Sequence, residues 1–190
     1  IPYEYVHKLR RINGLPGHPD IGTPFIAFNT GSLGMGVSKA RGLAYARSAL
    51  GGKGRIFVLT GDGELQEGQI WESLGKTAND GYSEITVIVD RNKMQSDTFV
   101  NKVNDIGDIN KKFRAFGWNV FEIDGHSFSS VAAVLREIRE SKLIARPTAI
   151  IANTVKRKGV SFMEPKAGEE FYKYHAGAPS DEDYYTALEE

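Results

Sequence analysis

Asp62 and Asn92 stand thirty positions apart, and each lies just past a short apolar run, Arg55–Thr60 for the first and Ile85–Val89 for the second. Two oxygen side chains at neighbouring strand ends can hold a hard divalent cation, which takes one or two carboxylates and fills the rest of its shell with water and phosphate oxygens. Asp62 would bring charge, and the Asn92 amide oxygen a neutral ligand. Gly61 and Gly63 flank Asp62; without a Cβ their backbone can come close to a phosphate, and the Gly63 N–H could donate to it. Alone, Gly-Asp-Gly is equally a strand-to-helix turn with an aspartate cap. Asn92 after the next strand shifts the reading to a metal and diphosphate site.

Such residues need a frame. Residues 1–30 are irregular, with Gly14, Pro16, Gly17, Pro19 and Pro24 as punctuation. Helical spacing then predicts a helix over 34–49, with a stripe of Val37, Ala40, Leu43, Ala44 and Ala46, and another over 67–79 through Ile70, Trp71, Leu74 and Ala78. Further helices are expected at 110–116 and 129–141, and strands at 55–60, 85–89, 118–123 and 148–153. Near-continuous apolar strands between helices predict a doubly wound α/β domain, its mostly parallel sheet covered by helices on both faces. Ser180 followed by Asp181-Glu182-Asp183 reads as the cap of a last helix. Ligands of such sheets bind beyond the carboxyl ends of the strands, which is where Asp62, Asn92 and Asp124-Gly125-His126 fall.

Bulk composition narrows the classes. Lys+Arg and Asp+Glu are 24 each, so no net field favours nucleic acid or an anionic membrane. The absence of cysteine excludes disulfides, thiolate chemistry and zinc–sulfur sites. No apolar run approaches the roughly 18 residues of a membrane span. The expected location is the cytoplasm. The start, Ile1-Pro2-Tyr3, has no initiator Met, so the chain is expected to begin inside a longer product.

The motifs together resemble the N-terminal, cofactor-binding domain of transketolase, in particular the split type made as separate subunits. The spacing Gly61-Asp62-Gly63 to Asn92 is similar to the thiamine diphosphate signature. Gly61–Gln69, Ala115-Phe116-Gly117-Trp118, Ile123–His126 and Lys158–Glu164 are similar to transketolase segments in the same order, so the likeness runs through essentially the whole chain, 1–190 as one thiamine diphosphate domain. The resemblance implies thiamine diphosphate with Mg²⁺ (or Ca²⁺ or Mn²⁺), the metal held by Asp62, Asn92 and the Met94 carbonyl. Gly63 and Asn92 would touch the diphosphate. Gly31, Ser32 and Leu33, in Thr30–Gly36, would lie along the aminopyrimidine, with Ser32 where the family often has Pro. His18, in Gly17-His18-Pro19, would reach the donor sugar. Glu67 would hydrogen-bond across a dimer to the glutamate that activates the cofactor. His175 would contact diphosphate and substrate, though Ala176 stands where Gly is usual. The family reaction moves a two-carbon ketol group from a ketose (phosphate) to an aldose (phosphate).

The family's activating glutamate lies in a pyrimidine-binding domain, and two further histidines in a segment before residue 1. The expected partner is therefore a pyrimidine-domain and C-terminal subunit, or the rest of a longer chain, in a dimer or heterotetramer. Other readings stay open: a deoxyxylulose phosphate synthase or 2-oxoacid dehydrogenase component, or a non-catalytic assembly subunit of the same fold. Lys156-Arg157-Lys158 reads as a solvated basic run, with contact to an anionic substrate as the alternative, His126 as part of a turn, and Trp71, Trp118 and the phenylalanines as core.

Overall fold

The structure, a computed structural model, describes residues 3–140, 145–166, 168 and 171–190. Its contacts divide it into two compact units, Ile1–Leu33 and Gly34–Glu190. The first is mostly turns. It adds one short helix to the expected irregular segment, α1 (Tyr3–Val6), and its loop is closed by Thr30 donating to the Pro19 carbonyl at 3.0 Å.

The second unit alternates as its apolar periodicity requires. In chain order it holds α2 (Gly36–Ala49), β1 (Ile56–Gly61), α3 (Gly68–Asn79), β2 (Ile85–Arg91), the two-residue strands β3 (Met94–Gln95) and β4 (Thr98–Phe99), α4 (Val100–Val103), α5 (Ile109–Ala115), β5 (Asn119–Asp124), α6 (Phe128–Glu140), β6 (Thr148–Asn153) and α7 (Asp181–Glu189). A 3-10 turn, Gly63–Gln66, stands between β1 and α3. Position 141, the expected end of the helix now seen as α6, lies outside the described residues. The β3–β4 hairpin and α4 were not legible, because two-residue strands carry no period.

The sheet is wholly parallel in the order β1-β2-β6-β5. Gly61 is level with Asp90, Asp90 with Ala152, and Asn153 with Asp124. All four strands therefore end at one edge. Alternation of side chains sorts the core. Val87, Val89, Ala149, Ile151 and Val120 face a cluster completed by Val37, Ala40 and Ala44 of α2, Ile70 and Leu74 of α3, and Phe113 of α5. Ile150 points to the other face, where Val134 and Ile138 of α6 meet it, with Ile88, Phe121 and Ile123 alongside. Small residues on α2 bring that helix close to β1. Ser73, at helical spacing between Gln69 and Thr77, is buried in α3, and Thr77 satisfies its own hydroxyl on the Ser73 carbonyl at 2.6 Å.

Cover on α6's face is incomplete. Phe57 and Leu59 of the edge strand β1 remain 51% and 74% exposed. Trp118 is buried as expected, its indole donating to the Leu74 carbonyl at 3.1 Å, and Phe113 is buried against it. Phe25, Phe57, Phe128 and Phe171 are instead exposed, so the expectation of a phenylalanine core holds only in part. Ser180 caps α7 as expected, its hydroxyl accepting from the Asp183 N–H at 3.1 Å.

Candidate functional site

β1 ends in Gly61 and delivers Asp62 to the carboxyl edge of the sheet as the cap of the 3-10 turn. Asp62 is only 3% exposed. Its Oδ1 accepts from the Gly63 N–H at 2.9 Å and its Oδ2 from the Lys93 N–H at 2.6 Å. Burial pushes the Asp62 carboxyl above its ordinary value; the two N–H groups pull it back, and the neighbouring Asp90 carboxylate raises it further. Asp62 has no ion pair among the described residues. A buried, hydrogen-bonded carboxylate without a counter-charge is a setting that a cation would stabilise.

The end of β2 brings Asn92, the second of the expected ligands. Asn92 Oδ1 accepts from the Met94 N–H at 2.9 Å, and Asn92 Nδ2 donates to Asp90 Oδ2 at 3.2 Å. Lys93 between them sits at φ +66, the left-handed region, and this bend turns its N–H back onto Asp62 across the strand gap. Asp62, Asn92 and Met94, the expected metal ligands, are thereby assembled in one loop system. Among the described residues no group of three or more His, Cys, Asp or Glu is gathered for a metal. A cation here would take its oxygens from one carboxylate, one amide and the backbone. That set is all oxygen and singly charged, which suits Mg²⁺ keeping water or phosphate in its remaining positions. Gly63 fits the same reading: a Cβ there would stand 2.6 Å from Gln95 Cβ, so only glycine allows the turn and the hairpin to lie this close. Its N–H, expected to serve a phosphate, is held by Asp62 itself.

A cavity of about 670 Å³ opens at the same edge, lined among others by Asp90, Asn92, His126, Lys156 and His175. Lys156 corrects the expectation of a solvated basic run. It is partly buried, and its Nζ lies 3.1 Å from His175 Nδ1. A lysine ammonium only donates, so with Lys156 protonated His175 Nδ1 is the acceptor and Nε2 is the ring nitrogen left to donate. Burial, then the Arg157 charge, lower the Lys156 pKa, while Asp90 and Asp62 pull it up. His126 accepts the Val155 N–H on Nε2 at 2.8 Å and so braces the segment that carries Lys156.

The other expected residues are placed as follows. Glu67 caps α3 with its side chain exposed, and it finds no hydrogen bond or ion pair through its carboxylate among the described residues. Glu64, not singled out in the sequence, accepts from the Gly34 N–H at 2.8 Å and from the Gly61 N–H at 3.3 Å. His18, Gly31, Ser32 and Leu33 belong to the first unit. Within it Gly31 adopts φ +104, and a Cβ there would stand 3.0 Å from the His18 ring, so Gly31 and the Gly17-His18-Pro19 motif meet. Sequence reasoning missed Asp90 and Thr154, and reached Lys156 only as the alternative to a solvated run. Asp90 was in view two positions before Asn92, but Thr154 becomes its neighbour only through the pairing of β2 with β6.

Known proteins resemble this chain in sequence and in fold. The sequence matches the family described as "Transketolase, thiamine diphosphate binding domain" over residues 2–184. It is 38% identical over 177 residues to one of the subunits of the apulose-4-phosphate transketolase of Actinobacillus succinogenes, covering 93% of this chain and 61% of that one. It is 36% identical to the 6-deoxy-6-sulfo-D-fructose transketolase subunit SqwG of a Clostridium species, covering 87% and 60%. The chain thus spans about three fifths of these curated relatives. A crystal structure of transketolase from Campylobacter jejuni superposes with a TM-score of 0.84 at 27% identity, covering 98% of this chain and 29% of that one. No helix among the described residues is long and apolar enough to cross a membrane.

Proposed function

The chain belongs to the thiamine diphosphate-binding domain family of transketolases, and from that premise we propose that it is the cofactor-binding part of an enzyme transferring a two-carbon ketol group from a ketose to an aldose. The observation that carries this reading is the loop system joining Asp62, Asn92 and Met94 beside a cavity that also holds Lys156 and His175. Asp62, Asn92 and the Met94 carbonyl would hold Mg²⁺, with Ca²⁺ or Mn²⁺ as substitutes. Asn92 would take the diphosphate, as would Gly63 once a cation on Asp62 frees its N–H, and Lys156 and His175 would meet its charge from the cavity wall. Gly31, Ser32 and Leu33 would flank the aminopyrimidine. His18 would bind a sugar hydroxyl, and His175 Nε2–H would donate to a substrate oxygen. Glu67, exposed and without an internal partner, would pair with a carboxyl group from another subunit.

The cofactor, when bound, supplies the electron sink for cleaving the carbon–carbon bond next to the ketose carbonyl. The protein orients the donor and moves protons on and off its oxygens. Both compact units are taken as one cofactor domain, completed by a pyrimidine-domain subunit or by the rest of a longer chain, in a dimer or heterotetramer in the cytoplasm. The substrate class of this reading is sugars or sugar phosphates.

Calorimetric titration of thiamine diphosphate with Mg²⁺ tests the site, alone and with the candidate partner. Metal-dependent binding is expected in the wild type and is expected to vanish in Asp62→Ala. Binding by neither form of the wild type would remove the reading. A ketol-transfer assay of the completed assembly then tests the reaction.

A further inference from the structure

We infer that Asp90 is a positioning residue for the metal: it fixes which end of the Asn92 amide faces the cation, and Thr154 in turn holds Asp90. This rests on the reading of Asp62, Asn92 and Met94 as ligands. The oxygen and nitrogen ends of an asparagine amide are nearly the same size, so shape alone does not decide which is presented. Here hydrogen bonding decides it. The Asp90 carboxylate accepts only, and it takes the Asn92 Nδ2 at 3.2 Å. The Met94 N–H donates only, and it takes Asn92 Oδ1 at 2.9 Å. A flipped amide would set oxygen against carboxylate and N–H against N–H. In the observed orientation Oδ1 keeps its second lone pair for a cation.

Asp90 is fixed from the neighbouring strand. Thr154, one residue beyond β6, donates its hydroxyl to Asp90 Oδ1, so both carboxylate oxygens are engaged. The Asp90 backbone carbonyl also accepts from the Asp62 N–H at 3.2 Å. One residue of β2 therefore ties together both side-chain ligands. This tie spans three strand ends, and neither Asp90 nor Thr154 has a place among the ligands themselves.

Partners of this kind typically change metal affinity by about 10- to 100-fold when removed. They also leave a signature that a purely structural residue would not. Mg²⁺ demands near-ideal octahedral geometry, whereas Ca²⁺ accepts a loose one. An unanchored amide should therefore lose Mg²⁺ more than Ca²⁺.

The test uses the form, alone or with partner, that binds thiamine diphosphate in the titration above. Mg²⁺ and Ca²⁺ are titrated separately into wild type, Asp90→Ala, Thr154→Val and Asp62→Ala, with melting temperature recorded for each. Asp90→Ala is expected to weaken Mg²⁺ by about 10- to 100-fold and Ca²⁺ by less, so the preference for Mg²⁺ falls. Thr154→Val is expected to shift the preference in the same direction by a smaller factor, and it carries the test by itself should Asp90→Ala fail to fold. Asp62→Ala should lose both ions. Unchanged affinities and preference in both variants, with only a lower melting temperature, would overturn the inference. So would equal loss of both ions in Asp90→Ala, which would make Asp90 a ligand. Absence of metal-dependent binding in the wild type brings down the underlying reading, and the inference with it.

Discussion

Lys156 reaches the site through burial that lowers its proton affinity, and that has a consequence for binding. For a lysine whose folded pKa lies below the ordinary value of 10.5, the protonated form is the one that folding disfavours. The cost is present while both folded and unfolded chains are protonated, and it fades as pH rises through the lowered folded value. The ammonium that would attract an anion is lost in the same window, below 10.5. Affinity for Mg²⁺–diphosphate, measured by calorimetry, should therefore fall as pH climbs through that window. Lys156→Arg, which stays charged, should hold the affinity there. An identical pH profile in the two proteins would show that Lys156 does not meet the anion. Asp62 shows the opposite pattern: burial raises its carboxyl, and it is the bound cation, not the apo fold, that would favour its charge. At Asp62 and Lys156 alike, burial works against the charged form, and a metal–diphosphate pair would work for it.

α3 shows how the elements serve the site without touching it. Leu74 is fully buried in the main core cluster, and its carbonyl takes the Trp118 indole N–H. Leu74→Ala should destabilise the fold by about 2–5 kcal/mol, read by denaturant unfolding. Because Glu67 and the Gly63–Gln66 turn precede α3, cofactor affinity should change little as long as the chain stays folded. Much at this scale was legible in the sequence. The runs Arg55–Thr60 and Ile85–Val89 contain four or more consecutive apolar or β-branched residues, and the stripes of α2 and α3 repeat at helical spacing. The order of strands was not legible: β6 enters between β2 and β5 only because of where the intervening helices fit, and no local signal records that. This is why the placing of Asp62 and Asn92 just past β1 and β2 could be read from the sequence, whereas the neighbourhood of Thr154 and Asp90 could not. Lys156 was reached only as an alternative for a related reason. A basic triplet looks solvated until the fold turns one of its members inward.

At the scale of the molecule, a neutral chain carries a sheet with one half-covered face, Phe57 and Leu59 standing open on the edge strand. A parallel sheet is ordinarily covered on both faces, and the relatives are longer by about two fifths of their length. The register holds one more consequence, and it concerns time. Gly61 is level with Asp90, and Asp90 with Ala152, so the three strand ends at the candidate site come from sequence positions some thirty and sixty residues apart. Loops of that length must close before any of these pairings exists. The ligand set is therefore a late product of folding, absent from every species that lacks the β1–β2–β6 alignment. Thiamine diphosphate with Mg²⁺ should leave the refolding rate near its metal-free value and slow unfolding instead, in stopped-flow experiments at matched denaturant. A cofactor that accelerated refolding would mean that the loop 90–95 is shaped before the sheet is assembled.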